Sequence, residues 1–180
     1  MKTLFAFVLL AAPALADETC PAAPDQVAER AQIMTVMRHA RDQTEAQFMT
    51  NQLWQIWTDA PDAKAQALLD EGMARRMAYD FAGSRAVLDG LVAYCPDYAE
   101  GWNQRAFAAF LAQDYPAALA DLDVALGIMP DHVAALSGKA LTLIGMGRND
   151  EAQVVLRAAV ALNPWLGERA LLVEPPGQDI

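Results

Sequence analysis

The segment AEGWNQRAFAAFLAQDYPAALADLDVALGIMPDH, residues 99–132, contains two amphipathic helical patterns separated by a short polar turn. Apolar or small side chains recur at helical spacing along one face of each pattern. These residues are Trp102, Ala106, Ala109, Tyr115, Ala118, Leu122 and Ala125. The turn is Gln113-Asp114-Tyr115, and Pro130 ends the second pattern because proline cannot continue a helix. The segment therefore predicts a helical hairpin.

The same hairpin recurs on both sides of this segment with a period of 34 residues. Pro96, Pro130 and Pro164 mark the period and divide the chain into segments 65–98, 99–132 and 133–166. The flanking turns are Tyr79-Asp80-Phe81 and Gly147-Arg148-Asn149. One such hairpin cannot bury its apolar face alone, so stacked copies are needed to form a continuous core.

This pattern resembles the tetratricopeptide repeat, which is also 34 residues long and has small residues where its two helices pack closely. The middle segment matches it at Trp102, Ala106, Tyr115, Ala118, Leu122, Ala125 and Pro130. The third matches at Leu136, Ala140, Ala152, Leu156, Ala159 and Pro164, and the first at Leu68, Gly72, Phe81, Leu88 and Pro96. Ser84, Leu91 and Asn149 depart from the pattern. The resemblance implies an all-α fold, a right-handed α-solenoid of antiparallel helix hairpins with three repeats.

Further helices are predicted on both sides of the repeats. Val27, Ala31, Met34 and Met37 mark one, and Met49, Leu53 and Ile56, near Trp54 and Trp57, mark a second. The hairpin at 25–62 is either a divergent fourth repeat or an N-terminal cap. Residues 167–180 are predicted to form a short closing helix and a frayed tail that contains Pro175, Pro176 and Gly177.

Residues 1–16 have the layout of a cleavable signal peptide. Lys2 precedes an uncharged run from Leu4 to Ala12, and Pro13 and Ala14-Leu15-Ala16 follow before Asp17. The apolar run is shorter than the roughly 20 residues that span a bilayer, which argues against a membrane anchor. The pattern predicts export, with the periplasm as the destination, and 17–24 as the N-terminal segment of the mature chain.

The chain carries a formal net charge of −10, and loss of Lys2 with the signal would make it −11. An acidic surface repels phosphate backbones and anionic headgroups, so nucleic acid and stable membrane insertion are not expected. Cys20 and Cys95 are either paired, as an even count in an oxidising compartment favours, or two buried free thiols.

The sequence offers no catalytic or metal-binding constellation. His39 and His132 have no second ligand at helical spacing, and His132 stands at a helix entrance that is typical of solvated polar residues. Gly145-Met146-Gly147 lacks the lysine and the strand of a phosphate loop. We therefore expect no enzyme activity, cofactor or metal.

The resemblance implies that the first helix of each repeat lines a concave, protein-binding groove. The groove residues carried over by position are Leu69, Met73, Arg76, Met77, Asn103, Gln104, Phe107, Phe110 and Leu141. Leu69, Met73, Ala134 and Gly138 occupy most positions of the family's carboxylate clamp, so an apolar site is expected. Met73, Phe107, Phe110 and Leu141 are either groove or core, whereas Asn103 and Gln104 are expected to be exposed amides.

Three hypotheses of function remain at this point. The first is an adaptor that holds a peptide or helix of another envelope protein in the groove, and the second is a self-associating assembly factor whose oligomeric state is open. The third is a small-ligand carrier or enzyme with a pocket near Trp54, Trp57 and Arg76. The first agrees best with the repeats and with the missing catalytic residues.

Overall fold

The computed structural model describes residues 19–173, so the predicted signal peptide and most of the predicted tail lie outside the described residues. The described part is helical. Its helices are α1 (Val27–Arg38), α2 (Gln43–Trp57), α3 (Ala63–Met77), α4 (Phe81–Tyr94), α5 (Ala99–Leu111), α6 (Tyr115–Ile128), α7 (Val133–Gly145) and α8 (Asn149–Leu162), followed by a 3-10 helix, Gly167–Leu171.

Helices α3 to α8 form three stacked antiparallel hairpins. Within each hairpin the two helices pack together, and the first helices of successive hairpins, α3, α5 and α7, also contact one another. The first helices therefore share one face of the stack. The all-α solenoid predicted from the sequence is confirmed.

The turn inside each hairpin has the same backbone conformation at the same repeat position. Tyr79, Gln113 and Gly147 have φ of 61°, 61° and 74°, in the left-handed region that ends many helices. The next residue in each turn donates its backbone N–H to a carbonyl in the preceding helix, as from Asp114 to Ala109 at 2.9 Å. Asp80 and Asp114 then accept a backbone N–H from the following helix with their side chains.

Small residues allow the two helices of each hairpin to approach closely. Ala106, Ala118, Ala125, Ala140, Ala152 and Ala159 are fully buried. The departure from alanine at Ser84 has a local reason, because its hydroxyl donates to the Gly72 carbonyl of the facing helix at 2.7 Å. That hydrogen bond satisfies a hydroxyl that is completely buried.

The N-terminal hairpin α1–α2 does not stack on the first repeat as another layer. Its core residues, among them Met37, Leu53 and Trp57, pack with Val133, and with Leu166 at the far end of the chain. The hairpin therefore packs along the turns that connect successive repeats and reaches the third repeat, unlike either a fourth repeat or a terminal cap. The sequence pattern does not distinguish these arrangements, because an amphipathic helix shows that a face is buried but not against what.

Both ends of this hairpin are fixed near the first repeat. Cys20 is bonded to Cys95, with a Cα–Cα distance of 5.1 Å, so the pairing left open by the sequence is formed. At the other end, the Tyr98 hydroxyl donates to the Trp57 carbonyl at 2.7 Å. Burial, with help from nearby acidic groups such as Glu100, raises the pKa of Tyr98, so the hydroxyl keeps its proton.

The closing segment differs from the predicted helix. After Pro164 the chain forms only five residues of 3-10 helix and then runs along α8. The Gln153 side chain bonds both the Leu171 carbonyl and the Val173 N–H, at 2.9 and 2.8 Å. Leu171 and Val173 stay exposed, so the segment covers little of the apolar face of the last hairpin.

Candidate functional site

An apolar pocket lies on the face formed by the first helices of the second and third repeats. Its volume is about 260 Å³. Helices α5 and α7 supply most of the wall, while Trp54 of α2 and Leu166 and Glu168 of the closing segment complete it. The pocket thus combines three parts of the chain that are distant in sequence.

Five of the predicted groove residues line this pocket. They are Asn103, Gln104, Phe107, Phe110 and Leu141. Phe107 is 41% exposed, so this ring is available to a ligand, whereas Phe110 is half-buried and packs on Tyr115 with a ring separation of 5.7 Å. The N-terminal hairpin leaves this part of the concave face open.

The prediction for Asn103 and Gln104 is wrong, because both side chains are buried. They line the pocket wall, yet their exposed fractions are 6% and 1%. Asn103 Nδ2 donates to Glu100 Oε2 at 3.0 Å, and Gln104 Nε2 donates to Glu100 Oε1. The Glu100 carboxylate, on the same helix, therefore accepts from both amides and keeps them buried.

Three predicted groove residues of the first repeat, Leu69, Met73 and Met77, do not join those of α5 and α7 at the pocket. Leu69 is fully buried with Leu88, Leu91 and Tyr98, so it belongs to the core. Met73 packs on the same core cluster, and Met77 is 66% exposed. None of these three residues lines the pocket.

Arg76 contacts a residue that lines the pocket, Phe107, but does not line the pocket itself. Its guanidinium carbon lies 4.3 Å from the centre of the Phe107 ring, a distance that permits a cation–π contact. Burial lowers the pKa of Arg76, an effect that the Glu100 carboxylate opposes. Trp54 lines the pocket, but Trp57 and Arg76 do not, so the three residues of the small-ligand hypothesis do not line this pocket together.

A buried polar network joins α5 to the start of α7. His132 is fully buried, and its Nε2 lies 2.8 Å from Glu100 Oε2. Its Nδ1 accepts the Ala135 N–H at 3.3 Å, so the ring proton is on Nε2 and is donated to Glu100. The expectation of a solvated His132 is wrong, because the Trp57 ring stacks on it at 4.3 Å and excludes water.

The spacing of Glu100 and His132 in the sequence agrees with this network, but such a spacing is not specific to a buried pair. Glu100 and His132 are 32 residues apart, two fewer than the repeat period, so they lie near equivalent positions of successive repeats. A sequence periodicity of 34 therefore brings them close, but polar residues at helix entrances are usually solvated. In the folded chain the Trp57 ring of the N-terminal hairpin covers His132.

Residues 19–173 contain no cluster of three or more His, Cys, Asp or Glu side chains that is arranged to hold a metal ion. None of their helices has the length and apolar character that crossing a membrane would need.

Comparison with known proteins gives the same repeat architecture. A tetratricopeptide repeat family model matches residues 109–164. A TPR repeat-containing protein of Rhizobium etli is 33% identical over 133 residues, which are 71% of this chain and 61% of that protein. The chain thus spans less than two thirds of the length of this curated relative.

Solved structures of similar fold include two that hold a bound partner. The TPR2B domain of yeast Sti1 in its pHsp70 complex is 26% identical, covers 56% of this chain and 81% of that one, and has a TM-score of 0.55. The first TPR of Spaghetti, bound to an HSP90 peptide, is 18% identical, covers 60% and 86%, and has a TM-score of 0.59. The repeat period, the stacked hairpins and these matches show that the chain belongs to the tetratricopeptide repeat family.

Proposed function

We propose that this chain is an exported scaffold that binds a segment of another envelope protein at the pocket between α5, α7 and Trp54. The observation that supports this most is an open, apolar pocket with an exposed aromatic ring, Phe107, at the centre of the concave face. Aromatic side chains in such pockets are frequent anchors of protein interfaces. The yeast Sti1 domain and the Spaghetti domain, whose structures contain Hsp70 and HSP90 partners, have the same fold.

The size of the pocket restricts what it can hold. A volume of about 260 Å³ is far smaller than a helix laid along three repeats would require. The N-terminal hairpin already occupies the space beside the start of α7, where Trp57 and Leu53 pack near Val133. The proposal is therefore a short segment anchored by one or two side chains.

Export is supported by two features. Residues 1–16 have the three-part pattern of a signal peptide, with the small residues Ala14 and Ala16 before Asp17. The Cys20–Cys95 disulfide is typical of oxidising compartments such as the periplasm. Fractionation of cells with and without residues 2–16 tests this part of the proposal, and a fully cytoplasmic wild-type chain would contradict it.

Binding is tested by capture of partners from a periplasmic extract. The variant Phe107→Ala/Phe110→Ala removes both rings from the pocket and should lose at least one protein that the wild type retains. Phe48→Ala is the matched control, because Phe48 is 58% exposed on α2 and does not line the pocket. Circular dichroism establishes that each variant is folded. An unchanged set of captured proteins with a folded double variant would exclude this site.

A further inference from the structure

The N-terminal hairpin packs more on itself than on the repeats. Helices α1 and α2 contact mainly each other, whereas α3 to α8 pack closely on their neighbours. The hairpin is attached to the end of the first repeat by the Cys20–Cys95 bond and by the hydrogen bond from Tyr98 to the Trp57 carbonyl. Of these two attachments the disulfide is the covalent one, and it is the one that a chemical reaction opens.

The disulfide lies in a surface cavity of about 560 Å³. Residues 19–23 line one side, and the end of α4 with the turn that follows it lines the other. The segment 19–26 contains no helix, and residues 21–25 are exposed, so another protein can contact the chain beside Cys20. Cys20 is half-buried, whereas Cys95 is only 2% exposed and belongs to the core cluster with Leu88 and Leu91.

This difference in burial decides which sulfur is open to attack. In thiol–disulfide exchange a thiolate approaches one sulfur from the side away from the sulfur that leaves, so access to that side is required. The side of Cys95 away from Cys20 is occupied by α4 and its buried side chains. A thiolate carried by another protein therefore reaches Cys20 Sγ and not Cys95 Sγ.

We infer that the Cys20–Cys95 bond is a redox latch, opened at Cys20 by a dithiol protein of the thioredoxin class, and that its opening loosens the hairpin that carries Trp54 to the pocket. The first thiolate of the reductant forms a bond to Cys20 Sγ, and Cys95 leaves with the electron pair and takes up a proton. The second thiol of the reductant then attacks the mixed disulfide and releases Cys20 as a thiol. Two electrons and two protons thus pass to the cysteine pair, and the reductant becomes a disulfide.

Opening the latch affects the pocket through α2. Trp54 lines the pocket and lies on the same helix as Trp57, which accepts from Tyr98 and stacks on His132. The bond joins residues that are 75 positions apart, so its loss returns conformational freedom to states in which the hairpin is detached. The inference rests on the function proposed above, because it concerns the regulation of that pocket.

The site of attack is tested with thioredoxin whose second active-site cysteine is replaced by serine, which retains the mixed disulfide. The oxidised full chain is treated with it, alkylated, digested with trypsin and measured by mass spectrometry. Cleavage after Arg30, Arg85 and Arg105 places the two cysteines in different peptides. We expect the adduct on Cys20 and the alkyl group on Cys95. An adduct on Cys95, or no adduct, would overturn the inference.

The loosening of the hairpin is tested by hydrogen exchange of the oxidised and the reduced wild-type chain. Exchange in α2 should become about tenfold faster on reduction, because the hairpin then opens more often. Helix α8 is the internal reference, and its acceleration should be several-fold smaller. The variant Cys20→Ser/Cys95→Ser is the matched control, since it should exchange like the reduced chain with or without reductant. Equal exchange of α2 in the oxidised and reduced chains would overturn the latch.

The link to the pocket is tested by repeating the capture from periplasmic extract with Cys20→Ser/Cys95→Ser. A partner that Phe107→Ala/Phe110→Ala loses should also bind this variant at least about threefold less. Undiminished binding would overturn the regulation of the pocket. If no captured partner depends on the two phenylalanines, the scaffold proposal falls, whereas the adduct on Cys20 and the faster exchange of α2 still support the latch.

Discussion

At the scale of single residues, burial decides the role of the polar side chains of α5. Glu100 accepts from Asn103, Gln104 and His132, and its carboxylate is almost completely buried. A buried carboxylate needs such donors, because unpaired charge in an apolar surrounding is strongly unfavourable. The polar groups that the family resemblance assigns to the groove are therefore used to join two repeats.

His132→Ala should lower the free energy of unfolding by about 3 kcal/mol, because it leaves the buried Glu100 without one of its donors. It also removes the side-chain cap of α7 and the ring that stacks on Trp57. Urea denaturation followed by circular dichroism measures the change.

The matched control is His39→Ala, because His39 is exposed at the end of α1. Its effect should stay within about 0.5 kcal/mol. Similar losses for the two variants would contradict a structural role for the Glu100–His132 pair.

At the scale of helices, close approaches occur both inside a hairpin and between neighbouring hairpins. A Cβ added to Gly72 of α3 would come within 2.6 Å of the Leu88 side chain of α4, and one added to Gly145 would meet the Tyr115 ring at 2.8 Å. Leu88 is fully buried and cannot move aside without disturbing the core. Gly72 is therefore required by packing, although glycine lowers the intrinsic stability of a helix.

Gly72→Ala should lower the free energy of unfolding by about 1–3 kcal/mol, since overpacking outweighs the gain in helix propensity. Gly127→Ala is the matched control, because no atom lies within 4 Å of the added Cβ and Gly127 is also helical. The control should gain up to about 1 kcal/mol. Thermal and urea unfolding of both variants give the comparison, and a stabilising Gly72→Ala would show that the hairpin has room for a methyl group.

The prediction of helices from the sequence succeeded where a pattern was local. Periodic apolar residues and the prolines at 96, 130 and 164 indicate the helices of the repeats, and α4, α6 and α8 end at Tyr94, Ile128 and Leu162. It was less successful for α1, where Arg30 and Ile33 are buried but Val27 and Ala31 are exposed. The buried face of α1 depends on the third repeat, more than ninety residues away, which no local pattern contains.

At the scale of the whole molecule, the N-terminal hairpin contacts both the first repeat and the start of the third. Repeat arrays are stabilised mainly by contacts between neighbours, so their ends can open separately. Here the hairpin is bound to the first repeat by the disulfide and by Tyr98, and to the start of the third repeat by Val133 and by His132, the residue that caps α7. We expect this link to couple the ends of the array.

Cys20→Ser/Cys95→Ser should lower the free energy of unfolding by about 4 kcal/mol, the value for a loop of 75 residues in the chain-entropy account. Because the hairpin then has one free end, amide exchange should accelerate most in α1 and α2, and next at the start of α7. Hydrogen exchange with mass spectrometry measures both effects. A uniform acceleration across α3 to α8, with α1 unchanged, would contradict the coupling.

The sequence by itself determined the class of fold and the outline of the array, because a 34-residue period with small residues at close helix contacts is compatible with few other arrangements. It also limited the cysteine bond to one pairing. The tertiary structure alone decided where the hairpin α1–α2 lies, and hence which part of the concave face is open. It also decided that Asn103, Gln104 and His132 are buried while Phe107 is exposed. The physical reason is that burial depends on contacts between segments distant in the chain, whereas periodicity records only that each helix has an apolar face.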